Sequence, residues 1–239
     1  PPRSTLFPYT TLFRSVIDGN PVDAAKRQSV SPYGRATFLR EDQDKRLLNS
    51  IQRDSPEDYR DFAIVYLALT TAIRLDGVAQ ARVGDIINQG GIVFLEYVNK
   101  GGAIDRKRLP GNAWANILEY LCLRGYPSND AFLFDIGGKN ETTRRRAIQR
   151  MIRRRCDVAF GKGHGITFHS LRHTAAMNAI QNGATALEVS SMLRHKDLRI
   201  TTIYLQHIDK SAGDKASSIL DDRYSTRASD GRKSRQKNT

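Results

Sequence analysis

The stretch from Phe168 to Leu205, FHSLRHTAAMNAIQNGATALEVSSMLRHKDLRITTIYL, gathers side chains suited to chemistry at a phosphodiester. His169 and Arg172 lie three positions apart near the start of a helical pattern, so they share one face. His195 follows the next helical segment. Tyr204 lies on a third, whose Leu198, Ile200 and Ile203 can pack inward. Two imidazoles, a guanidinium and a phenol are thereby candidates for one pocket. There an arginine would clamp phosphate oxygens, a histidine would donate hydrogen bonds or move protons, and a tyrosine would attack phosphorus.

Helices must position these groups, and their ends are legible. Asn182-Gly183 reads as the stop of the helix that carries His169 and Arg172. Thr185-x-x-Glu188 is a capping box for the next one. Upstream, Ser55-Pro56-Glu57-Asp58 is a start signal: a capping serine, proline at the first helical position, then acids. The helix that follows, through Ile64, Leu67 and Leu69, is apolar enough to be central, and it ends near Thr71. An earlier helix is expected from Leu39, with Arg40, Glu41, Asp42 and Asp44 in its first turns and Leu47, Leu48 and Ile51 as its apolar stripe.

Between these helices lies a small antiparallel sheet. Residues 88–91 and 99–102 are turns, Ile92 to Val98 is rich in β-formers, and Ala103 to Leu109 can return. Lys100 then sits at a turn tip. A helix with Trp114, Ile117 and Leu121 follows. The segment TTRRRAIQRMIRRRC, Thr142 to Cys156, predicts a helix ringed by arginine. Its Arg144, Arg145, Arg150, Arg153 and Arg154 are candidate contacts to a DNA backbone, because so many like charges repel unless something neutralises them.

Bulk properties agree with a polyanionic partner. The net charge is +13 and the pI about 10, which favours nucleic acid first and an anionic membrane surface second. No apolar run approaches the roughly 20 residues of a membrane span. Cys122 and Cys156 do not make a disulfide framework, and a reducing cytoplasm fits best.

The motif HxLRHT, the later L-x-H and a tyrosine nine positions beyond that histidine resemble the tyrosine recombinase (phage integrase) family. The stretch TAIRLDGVAQARVGDI, Thr71 to Ile86, resembles that family's first arginine box, with Arg74 as the arginine. YVNKGG, Tyr97 to Gly102, resembles its lysine turn, with Lys100 as the lysine. The resemblance covers roughly residues 32 to 210. It implies an α+β fold: a mostly helical catalytic domain with a small antiparallel β-sheet. It implies Arg74, Lys100, His169, Arg172, His195 and Tyr204 as catalytic residues, acting on double-stranded DNA as a tetramer on two sites. It implies strand cleavage and rejoining through a 3′-phosphotyrosyl link, with no cofactor and no metal. A non-catalytic basic DNA-binding module on the same fold is the alternative of different class. Relaxation of DNA in the manner of a type IB topoisomerase is the alternative with the same chemistry.

Residues 1–15 contain TLFPYTTLFRS, which resembles the translation of a sequencing adapter and is set aside from fold reasoning. Arg3 and Arg14 account for only two of the thirteen net positive charges, so the basic character survives. Residues 16–35 read as a linker remnant, 36–210 as the catalytic domain and 211–239 as a polar, basic tail. The expectation is a catalytic half without the family's N-terminal clamping domain.

Three positions depart from the family pattern. Gly77 stands where an acid is common, with Asp76 one position early. Arg194 stands where glycine precedes the second histidine, at a cost on the order of 1 kcal/mol if that position needs a positive φ. Ala72-Ile73-Arg74 replaces G-L-R, which reads as the milder change.

Overall fold

A computed structural model describes residues 37–40, 42–98 and 102–194, all within the unit Thr37–Thr239. Lys100, His195 and Tyr204 lie outside these residues, as do residues 1–36 and the tail.

The order is α1 (Gln43–Asn49), α2 (Pro56–Thr71), α3 (Leu75–Gln80), a 3₁₀ turn (Val83–Asp85), β1 (Ile86–Gln89), β2 (Ile92–Val98) and β3 (Ile104–Arg108). Then come α4 (Gly111–Leu123), α5 (Glu141–Phe160), α6 (Phe168–Gln181) and α7 (Ala186–Leu193). The expected helical architecture with a small sheet is present. The helix expected from Leu39 begins later, at Gln43. Leu39 precedes it as a buried residue whose amide is bound by the Thr174 hydroxyl at 2.9 Å.

Helix α2 is the hub. Ser55 caps it reciprocally with Asp58, and Pro56 opens it. Ala63, Ile64, Val65, Leu67 and Ala68 are buried where it packs on α4 and α6. At its end Ala72 turns the chain through the left-handed region, φ 50 and ψ 33, and throws Arg74 out at the start of α3.

The sheet has the order β1-β2-β3, antiparallel throughout. Leu95 faces Lys107 and Tyr97 faces Asp105 across β2 and β3. Strand alternation therefore puts these four side chains on the inner face, and all four are buried.

Helices α6 and α7 form the last pair among the described residues, each opened by a threonine capping box, Thr167 with Ser170 and Thr185 with Glu188. Their apolar faces meet in a second small core of Ala175, Ala176, Met177, Ile180, Val189 and Leu193, into which the Ala72 methyl also packs. The end of α2 and the end of α7 are thus tied to one cluster. Among the described residues no helix is long and apolar enough to cross a membrane.

Candidate active site

Three of the sequence-predicted residues meet where α2, α6 and α7 converge. Arg172 is only 4% exposed on α6. One of its terminal nitrogens donates to the Ala72 carbonyl and the other to the Leu193 carbonyl, the latter at 2.5 Å. Arg74 donates to that same Leu193 carbonyl at 3.3 Å and to the Arg194 carbonyl at 3.2 Å. The acceptors lie at the C-terminal end of α7, where unpaired carbonyls carry partial negative charge and favour cations. Two guanidiniums are thereby brought side by side.

His169, one turn before Arg172, stands edge-on to the buried His173 with ring centroids 4.2 Å apart. Partial desolvation, then the charges of Arg172 and Arg74, hold its pKa below the usual 6.5. The shift favours the neutral imidazole, the form able to take a proton. The last described residue, Arg194, is the left-handed cap of α7, φ 48 and ψ 50, immediately before His195. The position does require a positive φ.

Two of the departures read differently in three dimensions. Ala72 is not the milder change, because it too is left-handed, at a position that favours glycine. Its methyl is used in the α6–α7 core, and Arg194 uses its guanidinium on Asp105 (Nε to Oδ1, 2.6 Å) and on the Arg106 carbonyl at 2.8 Å. Each non-glycine residue offsets backbone strain with a side-chain contact.

Sequence reasoning missed the residues under the two arginines. Asp105 is 1% exposed and accepts a hydrogen bond from the Tyr97 hydroxyl at 2.8 Å. Lys107, also buried, donates its ammonium to the Met192 carbonyl. Desolvation brings Lys107 down to about 8, while desolvation and Asp105 push the Tyr97 phenol up. A signal was present in the sequence. Strand β3 reads IDRKR, so whichever face it buries must carry charge between Ile104 and Leu109. Among the described residues no three His, Cys, Asp or Glu side chains gather as a metal site would require.

The basic helix α5 needs a correction. Arg144 is 2% exposed, and it donates to the carbonyls of Ala79 and Phe134, each at 2.7 Å, with its guanidinium over the Phe132 ring. It ties the core together and has no face for DNA. Arg145 pairs with Asp76 at 2.8 Å, and Arg154 with the buried Asp61 at 3.2 Å, though both remain exposed. Arg150 and Arg153 are exposed with no ion pair among the described residues. They flank a cleft of about 400 Å³ that reaches Thr167, the cap of the helix carrying His169.

Comparison with known proteins agrees with this architecture. Residues 37–211 match the model of the phage integrase family. The chain is 31% identical over 161 residues to tyrosine recombinase XerC of Corynebacterium efficiens, covering 66% of this chain and 50% of that protein. It is 27% identical over 177 residues to tyrosine recombinase XerD of Listeria innocua, covering 70% and 56%. It thus spans about half the length of these curated relatives. The fold superposes on the XerH site-specific recombinase in its post-cleavage complex with a palindromic difH substrate, with a TM-score of 0.61 at 21% identity. That match covers 78% of this chain and 54% of XerH. With the family model matched along most of its length, the chain belongs to the phage integrase family.

Proposed function

We propose that the chain is the catalytic part of a site-specific DNA recombinase that cuts and rejoins double-stranded DNA through a 3′-phosphotyrosyl intermediate. The supporting observation is the convergence of Arg74 and Arg172 on the carbonyl of Leu193. Two planar cations held that closely suit the two non-bridging oxygens of one phosphate. Their charge offsets the charge that grows on those oxygens in the transition state. Tyr204 is the nucleophile: its oxygen bonds to phosphorus as the bond to the 5′-oxygen breaks. A free phenol has a pKa of about 10, so it needs a base. Neutral His169 takes the proton, and Lys100 protonates the departing 5′-oxygen. His195 donates a hydrogen bond to the phosphate. The new phosphodiester keeps the energy of the old one, so an incoming 5′-hydroxyl reverses the step with no ATP and no metal.

Arg150 and Arg153, with the exposed parts of Arg145 and Arg154, contact the DNA backbone next to the cleavage point. Strand exchange takes a tetramer on two DNA sites, in the cytoplasm. The test uses a nicked duplex drawn from a random-sequence library selected for binding to this chain. A covalent protein–DNA adduct is expected, and Tyr204→Phe is expected to abolish it. Tight binding with no adduct from the unmutated chain would return the non-catalytic reading.

A further inference from the structure

The buried face of β3 carries a carboxylate among cations. Asp105 has Arg194 at 2.6 Å, the Tyr97 hydroxyl at 2.8 Å and a terminal nitrogen of Arg74 at 3.8 Å. Lys107 follows on the same face, and Arg172 is the next guanidinium beyond Arg74. A buried charge is retained only where its partners offset the lost hydration. In the absence of this carboxylate, Arg74, Arg172, Arg194 and Lys107 would repel one another. Asp105 is therefore placed to decide where the Arg74 guanidinium rests.

The phenol that fixes Asp105 depends in turn on Gly77. A Cβ built on Gly77 would lie 2.6–2.8 Å from three carbons of the Tyr97 ring. Any side chain there would displace the ring and take its hydroxyl from the carboxylate. We infer that Asp105 is the positioning residue for Arg74, held by a unit in which Gly77 admits Tyr97, Tyr97 orients the carboxylate and Arg194 neutralises it. The departures at positions 77 and 194 are then one exchange: the acid comes from β3 instead of from the helix that follows Arg74. This inference rests on the recombinase reading for its catalytic consequence, but not for its geometry.

Two measurements keep those apart. The first is thermal unfolding of Asp105→Asn, Arg74→Gln and the double variant. Coupled residues give a Tm loss in the double variant smaller than the sum of the single losses; additive losses would overturn the inference, whatever the chain does to DNA. The second is single-turnover adduct formation on the nicked duplex. Asp105→Asn is expected to slow it on the order of 100-fold, with DNA affinity within about threefold, as for a mispositioned catalytic group. Gly77→Asp with Tyr97→Ala, added to Asp105→Asn, is expected to recover part of that rate. Wild-type cleavage by folded Asp105→Asn overturns the inference. No cleavage by the unmutated chain sinks the recombinase reading alone.

Discussion

Helix α5 and the pocket around Leu193 are both built on arginine, and they use it in opposite ways. On α5 three guanidiniums are engaged within the protein: Arg144 by two carbonyls, Arg155 by Asp58 and Asp61, Arg145 by Asp76. Around Leu193 the arginines also bind carbonyls, but those carbonyls lie at a helix end and bring Arg74 and Arg172 together with Arg74 partly open to solvent. The number of arginines in a stretch therefore says little about where a polyanion binds. What matters is where the fold brings guanidiniums together: Arg172 is nearly as buried as Arg144, yet it lies beside the part-exposed Arg74.

The sharpest way to break this contrast is within α5 itself. Arg144→Ala leaves two buried carbonyls without donors and should cost about 3 kcal/mol of stability in urea unfolding, with DNA affinity per folded molecule unchanged. Arg150→Ala with Arg153→Ala should leave the unfolding midpoint in place. It should weaken DNA binding and lower the slope of log affinity against log salt by about 2, one for each phosphate that the protein no longer neutralises. If Arg144→Ala weakened binding by folded protein and the double variant did not, the assignment of inner and outer arginines would be reversed.

A smaller effect tests the pocket. Lys107 titrates at about 8 in the folded protein, against 10.5 for an ordinary lysine. Between those values the unfolded chain binds the proton and the folded chain does not, so this residue's contribution to stability rises with pH. The wild type should therefore gain on Lys107→Met as the pH goes from 7 to 9.5, measured by urea midpoints at both. Tyr97 acts in the opposite sense at higher pH, but it is present in both proteins and cancels in the difference. A gap independent of pH would mean that Lys107 is not desolvated as described.

Much of the fold was readable from local signals. The Ser55–Asp58 cap, the strand Ile92–Val98 and the Thr185–Glu188 box are present as expected, because each is settled by residues within one turn or one strand. The pairing of His169 with Arg172 on one helical face was equally local. What escaped was non-local. The burial of Arg144 depends on carbonyls 65 and 10 positions away in the chain. The link from Gly77 to Tyr97 to Asp105 needs the register of β2 against β3. The left-handed turn at Ala72 was hidden by alanine, whose methyl is kept for the α6–α7 core.

The central claim is that Arg74 and Arg172 act on the charge of the scissile phosphate. A methylphosphonate at that position, which replaces one charged oxygen with a methyl group, tests it most directly. On the ordinary nicked duplex, Arg172→Ala should slow adduct formation at least on the order of 100-fold. On the methylphosphonate the penalty of Arg172→Ala should largely disappear, since only one non-bridging oxygen remains to gather charge in the transition state and Arg74 can serve it. An equal penalty on both substrates would place Arg172 in the protein's architecture alone and contradict the account.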